Sequence, residues 1–116
     1  MNIDYEQLYE DAYDIFRNNP TREGAEEAAE HFVSVASEAF AEASSGARDA
    51  ADRWLTESQR KKLKISKKLA TFERHSALAL ANFREIFVEG AVNGTMDEVA
   101  TATQAFSSAI NDALFA

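Results

Sequence analysis

Apolar residues recur along this chain at intervals of three and four residues, the spacing that places them on one face of an α-helix. The first segment begins after Asp4, a candidate N-cap with Gln7 three residues on. Its apolar positions are Leu8, Ala12, Ile15 and Phe16. Asn18-Asn19-Pro20 ends the segment. Pro20 is predicted to open a second helix, because its missing N–H would have no partner in a first turn.

The second and third helices are predicted from the same periodicity and from the position of the breaks. The second runs from about residue 20 along an alanine-rich stripe to a predicted break at Ser44-Ser45-Gly46. Residues 47–55 then form either a short helix or a kinked continuation of the second. Thr56 opens a capping box, and the lack of Gly and Pro up to Glu89 predicts a single helix roughly 50 Å long. The predicted apolar stripes consist of Ala25, Ala28, Phe32, Val35, Ala39 and Ala43 on the second helix and Ile65, Leu69, Phe72, Leu80, Phe83 and Phe87 on the long helix.

Gly90 and Asn93-Gly94 are predicted to end the long helix, and a last helix follows Thr95. No segment shows the alternation of a strand, and 116 residues is the size of one domain. The sequence therefore predicts an all-α fold, an antiparallel bundle of about four helices with a long third helix. These helices form a single helical domain over residues 1–116.

Composition removes several classes of chemical site. The chain has no Cys, which excludes disulfides, thiolate catalysis and Cys-containing zinc sites. Neither His31 nor His75 has a Glu three residues before it, the spacing that carboxylate di-metal helices use, and no glycine-rich phosphate loop is present. We therefore expect no catalytic residues, no metal site, no cofactor and no enzymatic activity.

The amino terminus carries acids where a secretory signal needs a basic segment followed by an apolar one. No apolar run approaches the roughly 18 residues that would span a bilayer. These two features predict a cytoplasmic protein with no membrane span.

Charged residues are segregated along the chain. Residues 1–52 hold 13 acids and 3 bases, residues 53–74 hold 2 acids and 8 bases, and residues 75–116 hold 5 acids and 1 base. The cations concentrate in a basic strip, which consists of Arg60, Lys61, Lys62, Lys64, Lys67 and Lys68. Three explanations compete: neutralisation by the acidic helices of the same or a second chain, contact with a nucleic-acid backbone, or docking on an acidic partner protein.

Carboxylates recur at intervals of three and four residues on the first two helices, which stacks them along helical faces. These acidic rows consist of Glu6, Glu10 and Asp14 on the first helix and Glu23, Glu27 and Glu30 on the second. Such rows can occupy a basic groove built for nucleic acid, because Arg and Lys respond to anionic charge whatever carries it. The alternative is an ordinary solubilising surface.

Three aromatic residues are candidate anchors for a partner. Tyr5 and Tyr9 repeat with Tyr13 every four residues beside the first acidic row, so they form either a contact surface or a packing face. Trp54 lies at a predicted junction between helices, where it either plugs the end of the bundle or protrudes as an anchor. The plug is the favoured interpretation.

The sequence as a whole indicates a non-catalytic protein–protein interaction module, an adaptor or an inhibitor, which binds a partner protein through charged helical faces. Its alanine-rich helical composition is shared by small proteins of phages and mobile elements, and the long helix allows a homodimer. Direct nucleic-acid binding through the basic strip is the alternative, although a net charge of −8 repels polyanions at a distance. An amphipathic coat on a lipid or polymer surface is the weaker alternative.

Overall fold

The structure, a computed structural model, describes residues 4–115 of the chain. Five α-helices occupy this range: α1 (Tyr5–Asn18), α2 (Arg22–Trp54), α3 (Glu57–Leu63), α4 (Ile65–Asn93) and α5 (Met96–Phe115). No strand occurs among the described residues. The predicted all-α class is confirmed, while the helices number five rather than about four. The longest helix is the second and not the third.

The first two helices begin at polar caps. The backbone N–H of Gln7 donates to the Asp4 carboxylate at 3.0 Å, whereas the Gln7 side chain donates forward to Asp11 and does not complete a capping box. The N-cap of α2 is Thr21, whose hydroxyl accepts from the Gly24 N–H at 3.1 Å. The expectation that Pro20 opens α2 is therefore wrong. The helix begins after Thr21, because the Thr21 hydroxyl accepts a hydrogen bond from an N–H group of the first turn that has no partner within the helix.

No break occurs at Ser44-Ser45-Gly46, and residues 47–54 belong to α2. The Ser44 side chain is buried and donates to the Glu73 carboxylate of α4 at 2.5 Å, so a residue predicted to end the helix instead joins it to its neighbour. A single glycine in a helix costs only about 1 kcal/mol relative to alanine. Packing of α2 along its whole length on α4 outweighs a local penalty of that size.

The predicted long helix from Thr56 to Glu89 is interrupted at Lys64. Thr56 forms both bonds of the expected capping box and opens α3, but Lys64 adopts φ 55° and ψ 43°, the left-handed region, between α3 and α4. A side chain in that region costs about 1–2 kcal/mol, so no local preference of lysine predicts this break. At the other end, α4 passes through Gly90 and ends where Gly94 adopts φ 75°.

Side-chain contacts give the directions of the packed helices. Arg22 lies 3.5 Å from Glu89 and Ser44 lies 2.5 Å from Glu73, so α2 and α4 run side by side in opposite directions. α5 packs on α4, and α1 packs on both α2 and α5. The core where these four helices meet is aromatic: the rings of Phe32 and Phe83 stack with centroids 3.9 Å apart. The Phe106 ring of α5 contacts both of them.

The molecule is elongated, with extents of 54 × 18 × 18 Å. We call residues 43–75 the arm: it contains the last third of α2, all of α3 and the first part of α4. The remaining residues form the core end, where α1 and α5 pack against the α2–α4 pair. The most deeply buried large side chains, Phe32, Phe87 and Val99, all belong to the core end, and α3 buries no residue.

Candidate interaction surface

An open groove of about 520 Å³ runs along one side of the arm between α2 and α4. Its floor is apolar and comes from Ala43, Ala47, Leu69 and Phe72. Its α4 side carries three lysines of the basic strip, Lys64, Lys67 and Lys68, together with His75. Ser44 and Thr71 complete the lining. We call this site the arm groove.

The arm groove exists because the helices that cover the α2–α4 pair at the core end do not extend along the arm. α1 begins at Tyr5, whose ring contacts Phe40 of α2 and Phe106 of α5, with centroids 6.3 and 5.5 Å apart. Past Phe106, α5 continues for about nine residues, or ~14 Å at 1.5 Å per residue. Phe106 lies beside Phe83, and α4 continues from there for ~27 Å to its first residue.

Two of the six strip residues are engaged locally. Arg60 donates to the Leu55 carbonyl at 2.7 Å and lies 3.7 Å from the Asp52 carboxylate, and Lys61 lies 3.4 Å from Glu57. The other four, Lys62, Lys64, Lys67 and Lys68, are exposed and form no ion pair with any side chain that the structure describes. The strip therefore keeps most of its charge available to an external anion.

A second groove, of about 550 Å³, opens where α2, α3 and α4 meet, and we call it the junction groove. Arg60 and Lys61 line it together with the acids Asp52 and Glu57. Lys64 and Lys67 line both grooves, so the strip forms the ridge between them. The acids make the junction groove mixed in charge. None of the lining residues described for the arm groove carries a carboxylate.

The acidic rows do not form the single face that the sequence suggested. Glu30 pairs with Arg84 of α4, whereas Glu6 lines a groove against Gln104 and Ser107 of α5. Glu10 and Asp14 lie 3.9 and 3.3 Å from Arg17 of their own helix. Glu23 and Glu27 are exposed on α2. The rows therefore lie on different sides of the core end, and some of their charge is already paired.

Among the described residues, no member of the acidic rows forms an ion pair with the basic strip. Lys64, Lys67 and Lys68 lie beside α2 from Ala43 onwards, and Glu30 lies ~20 Å before Ala43 along that helix. Exposed charges farther apart than the Debye length, about 8 Å at physiological salt, hardly interact. The arm holds nine bases and four acids, a charge of +5, and the rest of the chain holds three bases and sixteen acids, a charge of −13.

The three candidate aromatic anchors have different surroundings. Tyr5 is only 7% exposed, so its assignment as an anchor is wrong: its ring is part of the core, and burial raises its pKa to about 12. Tyr9 is half-buried, packs on Phe87 and donates to the Met96 carbonyl at 3.3 Å. Burial raises the pKa of Tyr9, and the nearby Tyr13, Glu10 and Asp97 raise it further.

Trp54 is 77% exposed at the far end of α2. The favoured interpretation of this residue as a plug is therefore wrong, because an indole that filled the end of the bundle would be buried. The indole stands beside Arg53 at the tip of the arm, where its large apolar area is available for contact. Of the three candidate anchors, Trp54 is the one that the structure leaves fully accessible.

Searches of protein-family models, of curated proteins and of solved structures find no significant match to this chain. Within residues 4–115, no helix combines the length and apolarity needed to cross a bilayer. In the same range, no group of three or more His, Asp or Glu residues is arranged to hold a metal ion.

Sequence reasoning identified the cations of the arm but missed the apolar floor between them. Ala43 was predicted on the alanine-rich stripe, Ala47 at the start of the undecided segment 47–55, and Phe72 on an apolar stripe of the long helix. The sequence did contain a signal for this floor. The first and last helices, with 14 and 20 residues, are too short to cover the whole of α2 and α4, which have 33 and 29. The link from Ser44 and Arg48 to Glu73 was also missed, because it joins residues 25 or more positions apart.

Proposed function

We propose that this protein is a non-catalytic protein–protein interaction module, an adaptor or an inhibitor, whose arm binds an acidic surface of a partner protein. The core end is the scaffold, an antiparallel bundle that holds the α2–α4 pair rigid. The arm presents the arm groove and the lysines beside it. A cytoplasmic location and a role among small phage or mobile-element proteins are part of the same proposal.

The observation that carries this proposal is the combination of apolar and cationic lining in the arm groove. A solubilising surface needs charge alone, whereas here Lys64, Lys67 and Lys68 stand beside a floor made of alanine methyl groups, Leu69 and Phe72. Interfaces between proteins have this composition, with an apolar centre that excludes water and a charged rim that selects the partner. The proposal therefore assigns affinity to the floor and partner choice to the lysines.

The core end supports a second contact. With a charge of −13 outside the arm, the acidic rows on α1 and α2 present exposed carboxylates that a basic protein surface can bind. Imitation of nucleic acid by these rows remains part of the proposal for an inhibitor. Separation of the two charges along the molecule suits an adaptor, because an acidic and a basic partner can be held at opposite ends.

Nucleic-acid binding by the basic strip is the alternative function. The specific observation in its favour is that no described acidic-row residue pairs with the strip. Glu30 lies ~20 Å along α2 from Ala43 beside the strip, and salt screens the repulsion of a polyanion over that distance. The apolar floor of the arm groove argues for a protein, since a phosphate backbone makes no use of it.

The test is affinity capture of the tagged full chain from its native lysate, with and without nuclease. Lys67→Glu with Lys68→Glu reverses two cations at the arm groove, and Lys62→Glu with Arg74→Glu reverses two arm cations outside its lining. We expect capture of a protein that resists nuclease treatment. The captured amount should fall at least about tenfold with the first variant and change little with the second. Both variants change net charge equally, so general attraction would affect them alike.

Two results would count against the proposal. Captured material that disappears with nuclease would make nucleic-acid binding the leading function. A captured protein retained equally by both variants would remove the arm groove from its recognition.

A further inference from the structure

The arm groove has the geometry of a vacant helix position. At the core end, α1 and α5 cover the inner side of the α2–α4 pair, and Tyr5, Phe106 and Ile110 are buried in the core there. The arm groove continues that same inner side past Phe40 and Phe72, whose rings lie 6.0 Å apart at its border. A helix laid along it would be packed as α1 and α5 are packed.

The dimensions of the arm groove suit about three turns of helix. Its α4 side extends from Lys64 to His75, a rise of ~17 Å, which an occupant of about 11 residues would match. Small residues on the α2 side, Ala43 and Ala47, allow close approach of a helix backbone, while Leu69 and Phe72 offer larger apolar surface. A helix in such a groove inserts apolar residues spaced at i, i+3 or i+4, and i+7.

The charge of the arm groove determines the flanks of its occupant. Three lysines line it and no described acid pairs with them, so carboxylates beside the apolar stripe of the occupant would meet Lys64, Lys67 and Lys68. We propose that the arm groove binds an acidic amphipathic helix of a partner protein. This proposal rests on the proposed function and names the element of the partner that the arm recognises.

A second copy of this chain fits the arm groove less well than a partner does. Its acidic helices are α1 and α2, and their apolar faces are already used in the core, where Leu8, Ala12 and Phe32 are buried. Neither helix can present acidic flanks and a free apolar stripe together without leaving its own core. A partner whose acidic helix carries an unused apolar face meets both requirements.

The test is a titration of the full chain with two labelled peptides, followed by fluorescence anisotropy. One peptide is an amphipathic helix with Leu at i, i+3, i+4 and i+7 and Glu on the flanks. The other has the same composition in an order that abolishes the apolar period. We expect the periodic peptide to bind at least about tenfold more tightly, because only it presents an apolar stripe to the floor.

Two matched variants locate the binding. Ala47→Trp fills the floor of the arm groove, whereas Ala50→Trp places the same side chain at an exposed position of α2 that does not line it. Both sites are solvent-exposed in the native helix, so both variants should fold with unchanged helical circular dichroism. We expect Ala47→Trp to lower the affinity for the periodic peptide by about tenfold or more. Ala50→Trp should change that affinity by no more than about twofold.

Equal binding of the two peptides, or equal binding by the two variants, would overturn the inference. If the lysine variants still lose the captured protein in that case, the proposed function stands and only the helical occupant is wrong. A dimer in sedimentation that Ala47→Trp disrupts and Ala50→Trp does not would identify a second copy as occupant and overturn the partner assignment. A different outcome would overturn both proposals: the chain binds neither peptide but does bind a single-stranded oligonucleotide. In that outcome the double variant Lys67→Glu with Lys68→Glu loses the oligonucleotide, and Ala47→Trp retains it.

Discussion

Tyr5 and Trp54 are both amphipathic aromatic residues beside charged neighbours, and the fold treats them in opposite ways. Tyr5 lies on the inward side of α1, where its ring contacts Phe40 and Phe106. Trp54 lies at the last turn of α2, beyond the reach of α1 and α5, and remains exposed. The difference comes from their positions along the molecule, because burial requires other helices at the same level.

The burial of Tyr5 predicts a loss of stability at alkaline pH. Its pKa is raised to about 12, whereas an unfolded tyrosine titrates near ~10. The stability that neutral Tyr5 contributes is therefore complete below about pH 10 and lost as the pH rises through about 12. We expect the free energy of unfolding to fall by about 2–3 kcal/mol over this window, as measured by urea titrations at successive pH values.

Tyr5→Phe is the control for that measurement. It keeps the ring against Phe40 and Phe106 and removes the group that ionises. Any other group that ionises in this pH range does so in both proteins, so the comparison isolates Tyr5. A decline of equal size in the two proteins would show that ionisation of Tyr5 does not cause it.

At the scale of the helices, two glycines have opposite roles. Gly46 lies within α2, and a Cβ built there meets nothing within 4 Å. Gly90 lies within α4, and a Cβ there would overlap the Val99 side chain of α5. Gly46 is therefore a local cost to its helix, whereas Gly90 allows close contact between two helices. Both had been predicted to end a helix, and neither does.

Alanine substitutions distinguish these roles. Gly46→Ala should raise the free energy of unfolding by about 0.5–1 kcal/mol, because alanine is the better helix former and meets no obstacle. Gly90→Ala should lower it by about 1–2 kcal/mol, since overpacking against Val99 exceeds the gain in helix propensity. The midpoints of urea unfolding measure both changes. Stabilisation by both substitutions would show that α4 and α5 separate easily.

The break at Lys64 shows a limit of reading helices from local signals. The segment from Thr56 to Glu89 contains neither Gly nor Pro, and its periodicity is helical throughout. Nevertheless, α3 ends in a residue with positive φ and α4 begins immediately after it. On one side of this turn, Arg60 of α3 donates to the Leu55 carbonyl and lies near Asp52 of α2, and on the other side α4 packs on α2. Contacts between elements therefore accompany a backbone conformation that lysine alone disfavours.

For the whole molecule, the uneven distribution of buried side chains predicts uneven stability. The core end contains the stacked Phe32 and Phe83 and the fully buried Phe87 and Val99, whereas α3 buries nothing. Segments with few buried contacts open locally at lower free energy. We expect amides of α3 and of the first two turns of α4 to exchange with solvent at least about tenfold faster than core-end amides of α2 and α4.

Hydrogen exchange followed by mass spectrometry measures this gradient directly. Peptides covering residues 57–71 should take up deuterium early, and peptides covering residues 26–40 and 80–91 should take it up late. Addition of the periodic acidic peptide should slow exchange in residues 64–75, where it would cover the arm groove. Uniform protection along α2 and α4 in the free protein would show that the arm is as stable as the core end.

Much of the fold could be predicted because helical periodicity is a local property of the sequence. Leu8 and Ala12 of α1, Ala25, Ala28 and Phe32 of α2, and Phe72, Leu80, Phe83 and Phe87 of α4 were predicted on apolar stripes and are buried. The capping box at Thr56 was also predicted, since its partners are three residues apart. The predicted helix ends at Asn18-Asn19-Pro20 and Asn93-Gly94 are confirmed. The predicted break at Ser44-Ser45-Gly46 was wrong, because such a break depends on energies near 1 kcal/mol that packing easily outweighs.

By itself, the sequence determined the helical class, the absence of cysteine chemistry and the collection of cations in residues 60–68, all of which depend on composition or on neighbours along the chain. The tertiary structure alone decided that α2 continues to Trp54, that Lys64 separates α3 from α4 and that Tyr5 is buried. It also decided that an apolar floor lies open beside the lysines. These features depend on which helices meet at each level of the molecule, and that is set by contacts between residues far apart in the chain.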